Sequence, residues 1–109
     1  MSDFTMRQLT ELIMKQAKTK GFGIKLKEID VGEKIALIHS EIAEAYEAYR
    51  HKKIRGKHGL AEELADALQR ILHLGGAMGI DLEKEILRKL KKNKKRKWNW
   101  KNLNEKHAK

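Results

Sequence analysis

Between Asp30 and His51 the apolar side chains fall at three- and four-residue steps. Ile35, Ile38, Ile42, Ala45 and Tyr49 make one stripe. That is the period of an amphipathic helix; a half-buried strand would alternate every second residue. Asp30 and Glu33 have the spacing of a capping box, with Asp as the cap, so the helix is expected to start there. The period returns after Gly59, where Leu60, Leu64, Ala67, Ile71, Leu74 and Met78 form the expected core face of another helix. A first helix is predicted from Phe4 to Lys20, with Ser2 or Asp3 as cap and an apolar face of Phe4, Leu9, Leu12, Ile13 and Met14. Gly21-Phe22-Gly23 ends it, because glycine tolerates the left-handed backbone past a helix end. A fourth helix is predicted from Asp81 through Leu82, Ile86, Leu87 and Leu90, fading after Arg96. Proline is absent and no segment alternates like a strand, so the chain reads as all-α. Short connections predict antiparallel neighbours in a four-helix bundle.

Two punctuation points carry further expectations. Lys52 to His58 is basic, holds Gly56 and reads as a loop. Gly75-Gly76 would loosen the last turn of the third helix or let another chain segment approach closely.

At 109 residues the chain fits one domain. The expected division is a helical domain over 1–96 and a basic tail over 97–109. The chain has no cysteine, which excludes a disulfide scaffold and a Cys-based zinc site and agrees with a cytoplasmic location. The first residues lack a basic segment followed by a long apolar run, so no signal peptide is expected. No apolar run approaches the ~20 residues that span a bilayer, so no membrane partner is expected. The net charge of +10 is unevenly placed. Residues 84–109 carry twelve Lys/Arg against two Glu (12 − 2 = +10); residues 1–83 carry thirteen of each sign and sum to zero. The basicity therefore belongs to the C-terminal part.

Against that neutral domain, two acidic pairs stand out. Glu41 and Glu44 are three apart on the second helix, and Glu63 and Asp66 are three apart on the third. Residues three apart share a helix face, so two facing antiparallel helices can aim four carboxylates at one spot. Such a cluster repels itself unless a cation sits in it. Leu37 and Ala48 continue the Glu41–Glu44 line at four-residue steps, so this pair is flanked by apolar side chains. The competing reading is a solvated acidic face with local partners, Glu47 with His51 and Asp66 with Arg70. The Glu-x-x-His signature of di-iron bundles is missing, which leaves Mg²⁺ or Mn²⁺ as the expected metal.

Ser40-Glu41-Ile-Ala-Glu44, eighteen intervening residues, and Glu63-Leu-Ala-Asp66 together resemble the Glu-Glu-x-x-Glu … Glu-x-x-Asp motif of MazG-type nucleotide pyrophosphohydrolases. Lys89, Asn93 and Arg96 resemble that family's closing Lys-x-x-x-Asn-x-x-Arg segment. The resemblance spans about Phe4 to Arg96 and departs at Ser40, where the family has its first Glu, and at Lys97, where it has proline. It implies an all-α fold of the MazG and dimeric dUTPase type, assembled as a homodimer or homotetramer. It implies Mg²⁺-dependent hydrolysis of a nucleoside triphosphate to the monophosphate and pyrophosphate, as in nucleotide-pool housecleaning. Glu41, Glu44, Glu63 and Asp66 would be the metal ligands, and one of Glu41, Glu44 and Glu63 would assist deprotonation of the attacking water. Lys89, Asn93 and Arg96 would bind phosphate or sugar. The substitution at Ser40 leaves the number of ions and the identity of the base open.

Other features admit a different class of function. The Lys/Arg run from Lys89 to Lys97, with Trp98 and Trp100, has the composition of a nucleic-acid-binding patch; cations at a helix C-terminus are also favoured by the helix dipole alone. A non-catalytic helical interaction module is the third reading. His39, His51, His58, His73 and His107 show no spacing that marks a metal site. Phe22 and Tyr46 read as core residues before base-pocket residues.

Overall fold

The computed structural model describes residues 3–96. It is all-helical, with no strand among the described residues. The expected tail, with Trp98, Trp100 and His107, lies outside them.

Helix α1 spans Met6–Lys20. Its cap is Thr5, not Ser2 or Asp3: the Thr5 hydroxyl accepts from the Gln8 amide and the Gln8 side chain answers to the Thr5 amide, a complete capping box. Phe4 therefore lies before the helix and is exposed. Gly21, at φ 81°, closes the helix in the left-handed region, as predicted. The connector makes a single 3₁₀ turn, Leu26–Glu28.

Helix α2 spans Val31–Arg50 and starts where the sequence predicts, with the Asp30 carboxylate accepting from the Glu33 amide. Helix α3 spans Leu60–Met78 between Gly59 and a left-handed Gly79. Helix α4 spans Leu82–Lys95, with Asp81 accepting from the Lys84 amide.

Helix α3 is the centre of the arrangement. Helices α2 and α1 both pack against it. Helix α4 leans on α1, where Arg7 bridges Asp81 and Glu83, each at 2.9 Å. At the end of α3 the paired glycines admit neighbouring side chains. A Cβ on Gly76 would come within 2.5 Å of Met14 Sδ on α1, and one on Gly75 within 2.7 Å of Leu82 Cδ1 on α4.

The core differs from the expected one. The buried apolar residues are Ala17, Ala45, Ala48, Ala67, Leu72 and Ala77. The predicted stripe residues Ile35, Ile42 and Tyr49 on α2, and Leu64 and Ile71 on α3, are exposed, Tyr49 to 60%. The reason is the width of the apolar arcs. Each helix carries more apolar circumference than one neighbour covers, and the two meet along their alanine edges, where small side chains let the helices approach closely. The bulky edges are left outward.

Candidate metal centre between the second and third helices

The alanine seam positions the acidic residues. Glu41 lies on the same edge of α2 as Ala45 and Ala48, and Glu63 on the same edge of α3 as Ala67, so their carboxylates are carried into the seam. Glu63 is 2% exposed, the one buried charged residue among those described. Carboxylate oxygens of Glu41, Glu63 and Asp66 all lie within 4.8 Å of one another.

Glu44 does not join that triad. It lies at the other side of Glu63, on the rim of a second depression with His51, Lys53 and His58. There it acts on Glu63 electrostatically. Contact with the Glu44 carboxyl is the largest influence raising the Glu63 pKa, and burial and the nearby Glu41 charge add to it. Two adjacent carboxyls can share one proton; with both ionised, Glu63 Oε2 has no donor.

That orphaned oxygen is the informative one. Glu41 Oε2 and Glu63 Oε2 are both buried and without a hydrogen-bond partner. A buried acceptor left unpaired costs about 1–3 kcal/mol in a typical protein, and such groups are rare unless a ligand, water or ion completes them. Three converging carboxylates, two of which carry a buried unpaired oxygen, fit a hard divalent cation, which takes oxygen ligands and retains waters.

Arg70 brings a guanidinium to the triad. Its Nε donates to Glu41 Oε1 at 2.9 Å. The sequence suggests Arg70 as a local partner for Asp66, four residues earlier; the structure sends it across the seam to α2. The Glu47–His51 pair does form locally, at 3.1 Å.

Beside the triad opens a trough of about 350 Å³. Glu41, Asp66 and Arg70 line one part of it; Phe22, Gln16 and Gln69 line another. His73 is held at its edge, with Nε2 donating to Gly23 O at 2.6 Å. Phe22 is 58% exposed, so it is a wall of this trough and not a core residue. Tyr46 is also exposed, with Arg50 6.0 Å above its ring.

A scan against protein-family models and searches of curated proteins and solved structures found no match to this chain.

Helix α4 contributes nothing to the lining of this trough. Lys89 borders a separate depression with Ile86, Arg88 and Lys92 on α4 itself. Asn93 Oδ1 is buried without a partner, and Arg96 is the cap residue that follows α4. Sequence spacing places Lys89, Asn93 and Arg96 on one helix face; within this chain that face is not brought to the carboxylates.

Two residues near the site were passed over in the sequence. His58 Nδ1 lies 3.4 Å from Glu63 Oε1, and Glu62 stands beside them. His58 is in the loop and joins Glu63 only because the backbone turns there through left-handed residues, Gly56 at φ 87° and His58 itself at φ 60°. The sole available signal was that His is one of the few non-glycine residues enriched in that region.

Among the described residues, no helix is long and apolar enough to cross a membrane.

Proposed function

We propose that the chain is a MazG-type nucleoside triphosphate pyrophosphohydrolase that uses Mg²⁺, with Mn²⁺ as an alternative ion. The observation that carries this reading is the convergence of Glu41, Glu63 and Asp66, two of which hold a buried, unpaired carboxylate oxygen. These three residues would hold the ion, and Glu44, in contact with Glu63, would complete the set by a rotation of its exposed side chain. When bound, the ion supplies charge for phosphoryl oxygens and lowers the pKa of a coordinated water. The chain's own groups then divide the remaining work. One of Glu41, Glu44 and Glu63 would take up the proton of the attacking water. Arg70, released from Glu41, can pair with a phosphate oxygen. The trough beyond, with Phe22 and the Gln16 and Gln69 amides, has the size and mixed lining of a small-molecule site and would take the nucleoside.

Lys89, Asn93 and Arg96 enter this scheme from a second copy of the chain. The bulky apolar residues left outward on α2 and α3 form the kind of surface that association buries, and a homodimer or homotetramer would let α4 of one copy approach the trough of another.

The test is a pyrophosphate-release assay over ordinary and modified nucleoside triphosphates with Mg²⁺ or Mn²⁺. Release of pyrophosphate with formation of the monophosphate, abolished in Glu41→Gln and Glu63→Gln while circular dichroism is unchanged, is the expected outcome. Undiminished turnover in both variants would refute the assignment.

A further inference from the structure

We propose that the outer face of helix α4 docks on an anionic lipid surface, lying along the bilayer without crossing it. The helix is amphipathic and strongly basic. Leu82–Lys95 holds seven Lys/Arg against two Glu, and both glutamates are engaged, Glu83 by Arg7 and Glu85 by Arg88. Its first turn is anchored, because Arg7 holds Asp81 and Glu83 while Leu82 packs over Gly75. Beyond that turn Leu87 and Leu90 are each 59% exposed and Ile86 is 42% exposed. The expectation of no membrane partner rests on the lack of an apolar run long enough to cross a bilayer; a helix that lies in the headgroup layer needs no such run.

The spacing puts apolar and cationic side chains where a lipid surface uses both. Leu87, Leu90, Lys91 and Lys94 follow at i, i+3, i+4 and i+7 and share one helix face, with both lysines exposed. The leucines would enter the acyl boundary, while the lysine stems lie beside them and carry their ammonium groups to the lipid phosphates. Next in sequence come Trp98 and Trp100, the residue type enriched at the headgroup level. Other occupants satisfy half of this face. A nucleic acid would pair its phosphates with the lysines and leave two leucines in water. A second α4 laid on the same face would cover the leucines but set Lys91 and Lys94 against their own copies, a like-charge contact that opposes the pairing. The face lies roughly 130° around the helix from Lys89 and Asn93. It is therefore distinct from the side proposed to meet a nucleotide, and the inference does not depend on nucleotide turnover.

The experiment is co-sedimentation of the full chain with vesicles of phosphatidylcholine alone and of equal parts phosphatidylcholine and phosphatidylglycerol, at low and high salt. The variants are Leu87→Ser, Leu90→Ser, Lys91→Gln and Lys94→Gln. All four side chains are exposed, so these variants are expected to fold, and circular dichroism checks it. The wild type should bind the anionic vesicles well above the neutral ones, and less at high salt, where surface charge is screened. Each leucine variant should lose at least about tenfold in partitioning, and each lysine variant about fivefold. No binding to the anionic vesicles, or equal binding to the neutral ones, overturns the proposal. Binding of a single-stranded oligonucleotide and light scattering, measured on the same variants, read the rival occupants. Lysine variants that weaken oligonucleotide binding, with vesicle binding intact in the leucine variants, would give the face to nucleic acid. A changed oligomeric state in the leucine variants, again with vesicle binding intact, would give it to a second copy. Either result overturns the lipid assignment.

Discussion

Replacing Arg70 with glutamine probes the acidic seam without touching a carboxylate. Arg70 Nε donates to Glu41 Oε1 at 2.9 Å, with the Glu41 side chain 12% exposed and that of Arg70 41% exposed. A well-buried charged hydrogen bond contributes about 1.5–3 kcal/mol, and an exposed pair about 0.2–1 kcal/mol. This pair lies between those limits, and solvent screening at the arginine end brings it to about 1 kcal/mol. For a domain of this size that is a fall in Tm of about 4–8 °C in the presence of a chelator. The guanidinium also occupies an oxygen that a divalent ion would use, so Arg70 and the ion compete for Glu41. At a concentration ~100-fold above its Kd, a cation adds about 2.7 kcal/mol to native stability. The variant, freed of the competitor, should gain more from Mg²⁺ than the wild type does. Differential scanning fluorimetry in chelator and in saturating Mg²⁺ should therefore show a Tm deficit that shrinks or closes when the ion is added. An equal deficit in both buffers would mean that Arg70 and the cation do not share Glu41, and the competition argument would fail.

Three other outcomes follow from the same structure. Ala67→Leu places a bulky side chain in the alanine seam, where Ala67 is 2% exposed; overpacking should cost about 1–3 kcal/mol, read as a lower urea midpoint, and an unchanged midpoint would show that the seam is loose. Asp81 has its pKa lowered, first by the Lys84 amide it caps and then by Arg7. A carboxylate with a depressed folded pKa contributes stability that is present above its ordinary value of 3.8 and lost as pH falls through the folded pKa. Asp81→Asn keeps a capping side chain and should flatten that acid limb of the stability–pH curve; an identical limb in the variant would remove Asp81 as its source. Glu63→Gln removes a charge from a cluster of like charges, so it should raise the Tm in chelator while abolishing the Mg²⁺-dependent increment; a Tm below wild type in chelator would contradict the repulsion inferred for this cluster.

The local chain grammar decided most of what can be read without coordinates. Asp30 and Asp81 announce helix starts, and Gly21 and Gly79 helix ends, because capping and left-handed termination need only residues a few positions apart. The exception, Thr5 in place of Ser2 or Asp3, turned on whether Gln8 could reach back, which is a choice between equally plausible local boxes. Spacing also placed Glu63 and Asp66 on one face of a helix. What spacing does not encode is which part of a wide apolar arc meets a neighbour. The alanine edges won over the Ile35–Ile42–Tyr49 edge because close approach of two helices depends on side-chain volume across the seam, a property of the pair and not of either helix. That single packing choice buried Glu63, brought Glu41 to Asp66, left Glu44 at the rim and sent Arg70 across to α2. It also set His58 against Glu63 through a loop whose left-handed turns have no periodic signature. The sequence by itself determined the helices and the inventory of acids; the tertiary structure decided which acids meet, because convergence of charge depends on distances between elements that only packing defines.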